Sequence, residues 1–271
     1  MKLFVYITLL AGAGASVHAC TAADAAAYLT PSFHEDDQYA NVFSRTIAFD
    51  AKGFQGSVQR VSGTAIYRVT DSAAARPQLH IDYHYDGRPP GHGLVELRDG
   101  GATNCFDGKC TPNSDASGLA YNPLLWGTPP ATLQVGQHWA VDIATPWELG
   151  TPGHQTVTVL ALDPTNHQAT LQREGSGDGA YLGDPPTTTL QRDGQAYPAS
   201  VQPGHSHWIG ITTFQAGIVV SDELVVERPV TLVSDKLGCI EARQREYILL
   251  NAMPVAQEPA TDVVGAHPPS A

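Results

Sequence analysis

Apolar and polar residues alternate with a period of two through most of the chain. The alternation is clearest in residues 57–70, 79–86, 155–162, 169–173, 207–220 and 223–233. Successive side chains of a strand point to opposite faces of its sheet, so this period predicts strands rather than helices. Residues 163–167 read Asp-Pro-Thr-Asn-His between two of these runs. We therefore expect a β-hairpin at that place.

Turn-forming residues are frequent between the alternating runs. The chain holds 26 Gly and 20 Pro among 271 residues. Together they make up about 17% of the chain, against about 12% in an average protein. This composition fits many short strands joined by many turns. We predict a mainly β fold, an antiparallel sheet arranged as an open barrel or a sandwich, with at most one or two short helices.

The last apolar-rich segment, residues 239–251, fits either type of secondary structure. It contains good helix formers such as Ala242, Gln244 and Glu246. Its residues also alternate with the period of a strand, and only Gly238 separates it from the preceding β run. We favour a strand.

The N-terminus has the three parts of a signal peptide. A positive start at Lys2 precedes an apolar run over residues 3–10, and small residues lead to Ala19. The apolar run is shorter than the roughly 20 residues that span a bilayer. We predict cleavage after residue 19 and export to a bacterial periplasm or outer membrane, or otherwise secretion.

The residue after that cleavage site, Cys20, leaves two alternatives open. The order aliphatic, any residue, small, Cys is typical of lipoprotein signals, and a lipid on Cys20 would anchor the protein at a membrane surface. Cys239 would then be unpaired and buried. Without the lipid, Cys20 and Cys239 would form a disulfide and complete an even set of four cysteines.

The other two cysteines, Cys105 and Cys110, enclose a four-residue loop that contains Asp107 and Gly108. Asp-Gly is a strong turn signal, and so short a loop brings the two Cβ atoms within bridging distance. Disulfides persist in the oxidising compartments that exported proteins reach. We predict a disulfide between Cys105 and Cys110.

Composition also divides the chain into segments. We predict a signal peptide over residues 1–19, a tether over residues 20–40, one β-rich domain over residues 41–253 and a disordered, proline-containing tail over residues 254–271. A short helix near residues 24–29 is compatible with the tether, with Pro31 to end it.

Residues 133–139 read Leu-Gln-Val-Gly-Gln-His-Trp, a turn that leads into a strand. The segment resembles an L-x-V-G-x-x-W phrase of β-rich bacterial periplasmic and lipoprotein domains. The resemblance covers seven residues, implies a β-rich envelope domain and implies no activity.

The formal net charge of −12 limits the expected partners. The chain has no cluster of Lys and Arg, so we do not expect nucleic acid as a partner. Contact with a membrane surface is expected only through a lipid on Cys20, because the acidic chain would be repelled by anionic lipids. The sequence leaves a ligand or protein partner open.

Two groups of histidines could hold a divalent metal such as Zn. His80, Asp82 and His84 share one face of a strand, and His205 and His207 share a face of another. In the plainer interpretation the first group lies in water, with Ile81, Tyr83 and Tyr85 on the core side. The face of the second group continues through Ile209 and Ile211, which is compatible with a cavity, but we favour the plainer interpretation that both histidines begin a strand after the turn at Pro203 and Gly204. A joint site would require the two strands to be neighbours.

Two functional hypotheses follow. The first is an exported envelope β-sheet protein with a binding or structural role that carries an apolar or small ligand and needs no cofactor. The second is a secreted or anchored metal-dependent hydrolase that uses His80, Asp82, His84, His205 and His207. No motif assigns a catalytic residue, so whether the protein is an enzyme stays open, and we favour the binding role.

Overall fold

A computed structural model describes residues 23–72, 77–98, 101–106, 108–114, 119–144, 153–178, 186–253 and 255. The proposed signal peptide, Cys20 and all of the proposed C-terminal tail except residue 255 lie outside these residues.

The described residues form sixteen strands and two short helices. In the N-terminal half these are β1 (Ala23–Asp24), α1 (Ala25–Leu29), β2 (Gln38–Ala51), β3 (Ser57–Asp71), β4 (Gln78–Tyr85), β5 (Gly91–Arg98), β6 (Gly101–Phe106), β7 (Lys109–Ser114), α2 (Pro123–Trp126) and β8 (Thr132–Leu133). In the C-terminal half they are β9 (His138–Ile143), β10 (Gly153–Asp163), β11 (Gln168–Asp178), β12 (Thr187–Arg192), β13 (Gln195–Pro203), β14 (His205–Gln215), β15 (Ile218–Ser234) and β16 (Gly238–Met253).

Fourteen of the strands belong to one sheet, and every pair in it is antiparallel. Along the main path the order is β7-β6-β5-β4-β3-β2-β16-β15-β14-β11-β10-β9, and β12 and β13 branch from β15. The remaining two strands, β1 and β8, form a small sheet of their own. The prediction of a mainly β antiparallel fold with at most two short helices is confirmed.

The large sheet curls so that two parts of it, which we call its wings, face each other: β2–β6 form the first wing, and the second contains β15, β14 and β11. Phe106 on β6 and Arg173 on β11 line the same cavity, although seven strands lie between them in the sheet order. Neighbouring strands are about 4.8 Å apart, so in a flat sheet these residues would be about 38 Å apart. The described strands do not close into a barrel, because β7 and β9 remain as ends of the path.

Three apolar clusters fill different parts of the curl. One packs α1 and α2 against β9–β11, β14 and β15, and includes Trp126 and Phe214. The second lies between the branch and the long central strands, around Leu190 and Leu232. The third lies on the inner face of β3–β5, around Leu79.

Residues 23–40 differ from the predicted tether. Asp24 caps α1 through a hydrogen bond from the Ala26 amide, and the helix buries Tyr28 and Leu29 against the sheet. β2 then begins at residue 38. The short helix forms where the sequence allowed one, but its apolar side chains belong to the core, so α1 packs as part of the domain.

Several local predictions are confirmed. β10 and β11 form the expected hairpin around residues 164–167, and residues 239–251 lie within the strand β16. Cys105 and Cys110 face each other on β6 and β7 and form a disulfide. Cys239 is exposed rather than buried, because odd-numbered residues of this part of β16 face outward.

Within the described ranges, no helix has both the length and the apolar composition needed to cross a membrane.

Candidate ligand-binding cavity

A cavity of about 450 Å³ lies inside the curl, between the two wings of the large sheet. One wing, β2–β6, contributes mainly apolar and aromatic side chains. The other wing contributes Arg173 from β11 and Asp222 from β15, and Leu119 and Leu125 reach the cavity from the segment around α2. The cavity is therefore mainly apolar on one side and mixed on the other.

Four aromatic rings form a continuous surface on the first wing, which we call the aromatic wall: Phe43, Tyr83, Tyr85 and Phe106. Ring centroids are 5.2 Å apart for Phe43 and Tyr85 and 5.4 Å apart for Tyr83 and each of its neighbours, Tyr85 and Phe106. All three contacts are edge-to-face, the geometry that aromatic pairs prefer. The rings thus support one another from β2 across to β6.

Glycines stand opposite the aromatic wall in the neighbouring strands. Gly91 pairs with Tyr83, Gly93 pairs with Phe106, and Gly63 pairs with Tyr85. A Cβ atom at Gly91 would overlap the Tyr83 ring, and one at Gly93 would overlap the Phe106 ring. The rings therefore lie over bare backbone along the sheet, which leaves the space above them open.

A buried ionic cluster borders the cavity at β2 and β16. Arg45 Nε lies 2.6 Å from Glu246 Oε1, and Gln244 donates a hydrogen bond of 3.2 Å to Glu246 Oε2. Arg228 approaches the same Glu246 oxygen at 3.5 Å. The Glu246 side chain is 0% exposed whereas that of Arg45 is 33% exposed, so Arg45 is the member of this pair that reaches the cavity.

A second ion pair joins β11 to β15 at the cavity. An Arg173 terminal nitrogen donates to both Asp222 oxygens, at 2.9 and 3.2 Å, and Thr212 donates to the same carboxylate. The Arg173 guanidinium carbon also lies 5.0 Å from the centre of the Trp126 ring. These contacts fix both charged groups in place on the second wing.

Asn104 places a polar atom on the apolar wing. It lies on β6, two residues before Phe106, and lines the cavity. Within the described part of the chain, its side-chain Oδ1 is buried and accepts no hydrogen bond. Buried polar atoms without a partner are rare in folded proteins, so this atom calls for an explanation.

The segment around α2 forms the base of the cavity. Asn122 caps the helix by accepting a hydrogen bond from the Leu124 amide, and Trp139 Nε1 donates 2.7 Å to the Trp126 carbonyl oxygen. The Tyr121 hydroxyl donates 2.9 Å to the Gly127 carbonyl oxygen. Burial raises the pKa of Tyr121, so this residue stays neutral and acts as a structural anchor.

The first predicted metal group lies on the outer face of β4. His80, Asp82 and His84 are exposed, whereas Ile81 on the opposite face is buried. His80 Nδ1 is 3.7 Å from Asp82 Oδ2. This arrangement matches the plainer interpretation, a strand with its polar face in water.

The second predicted metal group, His205 and His207, lies on the outer face of β14. The two rings are 5.0 Å apart, and His205 Nδ1 is 2.8 Å from Asp178 Oδ1. Ile209 and Ile211 on the same face are 47% and 45% exposed, so this face is turned to the outside of the sheet and not to the interior of the curl. The two histidines stand at the start of the strand, after Pro203 and Gly204, as in the plainer interpretation.

The inner face of β14 carries the other set of residues, including Trp208 and Phe214. Both faces of this strand carry large apolar residues, so the alternation could not show which one is buried.

The two groups do not meet. Four strands, β3, β2, β16 and β15, lie between β4 and β14, a separation of about 24 Å along the sheet. The described strands therefore do not provide the neighbouring pair that the joint metal site required. Nor do three or more His, Cys, Asp or Glu side chains gather anywhere in the described part of the chain in a way that could hold a metal ion.

Sequence reasoning placed the apolar side of β4 in the core and missed the cavity in front of it. The available signal was the triplet Ile81, Tyr83 and Tyr85 on one face together with Gly91 and Gly93 on the next strand. Pairing these residues requires the strand register, which the sequence does not specify.

Comparisons with known proteins add little to this description. No model of a known protein family matches the sequence, and no curated protein matches it. Among solved structures the chain is similar to one described as lipid-protein interactions in lipovitellin, with a TM-score of 0.42 and 10% sequence identity. The match covers 84% of this chain and 27% of the other, so the chain spans about a quarter of that protein. A likeness this distant carries no argument about function.

Proposed function

We propose that the protein is an exported binding protein that holds an apolar small molecule between the wings of its curled sheet. The observation that carries the proposal is the 450 Å³ cavity with an aromatic wall that rests on glycines. A volume of this size falls within the range of about 300–1,000 Å³ that is usual for small-molecule sites.

The lining supports an apolar ligand. Binding sites for small molecules are mostly apolar and aromatic, with a few polar groups that set orientation. Here the aromatic wall supplies the apolar surface, Arg45 supplies a charged group on the same wing, and Arg173 and Asp222 supply charged groups on the opposite wing. Transfer of an apolar molecule from water to this surface would be favourable in proportion to the area it buries.

Packing considerations favour a cavity that serves a ligand. Protein interiors are normally close-packed, and a void costs stability because its lining loses contacts. Gly63 and Ala65 face this side of the sheet and are buried, and Gly91 and Gly93 stand beside them. A bound molecule would restore the contacts that these small residues forgo.

Export is proposed from the N-terminal sequence and from the Cys105–Cys110 disulfide. The disulfide is compatible with an oxidising compartment. The location that fits best is a bacterial periplasm or outer membrane, with a lipid on Cys20 as the anchor in the second case, or otherwise the extracellular medium. The geometry offers no support for the hydrolase hypothesis, since the two histidine groups lie apart on outer faces.

Fluorescence titration with diphenylhexatriene, an apolar probe without hydrogen-bonding groups, tests the proposal. We expect saturable binding of one probe per protein, weakened tenfold or more by Ala65→Phe, which would fill the cavity from β3. Val58→Phe is the matched control, because Val58 lies on the same strand with 66% of its surface exposed. Absence of saturable binding, or equal affinity in a folded Ala65→Phe protein, would contradict the proposal.

A further inference from the structure

We infer that the ligand carries a neutral hydrogen-bond donor, a hydroxyl or an amide N–H, which is bound by Asn104 Oδ1. The inference rests on the proposed function and narrows the ligand from any apolar molecule to an amphiphile such as a long-chain alcohol or amide.

The buried oxygen of Asn104 is the starting point. Asn104 lines the cavity, and its side-chain Oδ1 is buried and accepts no hydrogen bond from any described residue. Its cross-strand neighbour Val95 is buried, and Phe106 follows on the same face. Loss of water from an amide oxygen in such surroundings is unfavourable unless another donor replaces the water. A ligand that brings a donor into the cavity would supply it.

The position of Asn104 is fixed from both sides. Cys105, the next residue, is bonded to Cys110 directly across the β6–β7 hairpin. On the other side, β6 pairs with β5 through a continuous register from Gly93 to Arg98. The oxygen is thus presented by backbone that is held at a defined place, as a specific hydrogen bond to a ligand requires.

The charged groups of the cavity argue against an anionic ligand. Arg45 faces Glu246, and Arg173 faces Asp222 with two hydrogen bonds. Each guanidinium that lines the cavity already has a carboxylate beside it, so a second anion would meet repulsion from that carboxylate. A neutral donor at Asn104 meets no such repulsion.

Displacement of diphenylhexatriene by two ligands tests the inference. The first ligand is 1-dodecanol, which has a donor, and the second is methyl dodecyl ether, in which the same oxygen carries a methyl group. The variant is Asn104→Leu, which has a similar shape without the amide. We expect the variant to weaken the affinity for 1-dodecanol about three- to tenfold, which corresponds to the loss of one hydrogen bond. The affinity for the ether should stay unchanged or increase.

Equal effects of Asn104→Leu on both ligands, or no effect on either, would overturn the inference while the proposed function stands. Failure of both ligands and of the probe to bind the wild-type protein would overturn both. If the variant does not fold, the side-chain amide resonance of Asn104 in the wild-type protein decides. It should shift with 1-dodecanol and not with the ether, and equal shifts would overturn the inference.

Discussion

Tyr83 and Gly91 lie directly opposite each other on β4 and β5, and the tyrosine ring covers the glycine backbone. The ring therefore runs along the sheet rather than out from it. Its edge meets Tyr85 on one side and Phe106 on the other, both at 5.4 Å between centroids. The glycine thereby sets the orientation of the ring on which the shape of the cavity depends.

Gly91→Ala should damage both stability and binding. The new methyl group would overlap the Tyr83 ring, so the ring must swing toward the cavity. We expect a loss of about 1–3 kcal/mol in the free energy of unfolding, as for other overpacked sites. Urea unfolding and diphenylhexatriene titration measure the two effects.

Gly56→Ala is the control for this change, because its added Cβ would only reach a distance of 3.4 Å from the Phe49 carbonyl oxygen. It should leave stability and probe binding near the wild-type values. A Gly91→Ala protein that also matches the wild type would show that the Tyr83 ring does not depend on the glycine.

The buried carboxylate of Glu246 should matter far more than a surface one. Glu246→Gln leaves the guanidinium groups of Arg45 and Arg228 beside a neutral amide in a buried place. We expect a loss of about 3–5 kcal/mol in unfolding free energy. Glu227→Gln is the matched change, since Glu227 pairs with Arg245 at 3.0 Å but is 49% exposed. It should cost no more than about 1 kcal/mol. Similar losses in the two variants would contradict the assignment of Glu246 to a buried cluster.

The disulfide should stabilise the hairpin that carries Asn104 and Phe106. Replacement of both Cys105 and Cys110 by Ser should cost about 2 kcal/mol, the loop-closure entropy of so short a loop, and should weaken probe binding. Cys239→Ser should change neither, because Cys239 is exposed on β16 far along the sheet from β6. Urea unfolding with and without a reducing agent makes the comparison. A reduced protein with unchanged binding would show that the hairpin holds its place without the bond.

Much of the fold follows from the sequence alone. The hairpin of β10 and β11 is predictable because alternation and turn residues are both local signals. The same is true of the Cys105–Cys110 bond, since its two ends are five positions apart. The inner and outer faces of β4 also follow, because only one of them is apolar.

The cavity could not be derived in this way. It depends on which strands face each other across the curl. Phe106 and Arg173 line the same cavity although 66 residues separate them in the sequence. The orientation of β14 was uncertain for another reason: Ile209 and Ile211 look like core residues, but Trp208 and Phe214 occupy the core. Helix α1 likewise joins the core through Tyr28 and Leu29, in a segment whose composition indicated a tether.

Alkaline pH should reveal the environment of Tyr39. Its hydroxyl donates 3.2 Å to Asp37 Oδ2, and burial, together with the charge and hydrogen bond of Asp37, raises the pKa of Tyr39 to about 12. A tyrosine whose pKa is higher in the folded state than the unfolded value near 10 stabilises the fold fully below pH 10. That contribution is lost as the pH rises through about 12.

The unfolding free energy of the wild type should accordingly fall more steeply between about pH 10 and pH 12 than that of Tyr39→Phe. Tyr121 is present in both proteins and cancels in the difference. Urea unfolding followed by tryptophan fluorescence gives both slopes. Parallel profiles would mean that Tyr39 titrates alike in the folded and unfolded chains.

The most direct test of ligand binding inside the curl is a titration with 1-dodecanol followed by the methyl signals of the isoleucines. Ile81 and Ile248 line the cavity, whereas Ile209 and Ile211 are exposed on the outer face of β14. We predict that the signals of Ile81 and Ile248 shift and saturate at one ligand per protein, while those of Ile209 and Ile211 remain in place. Shifts confined to Ile209 and Ile211, or no saturable shift at all, would contradict the account.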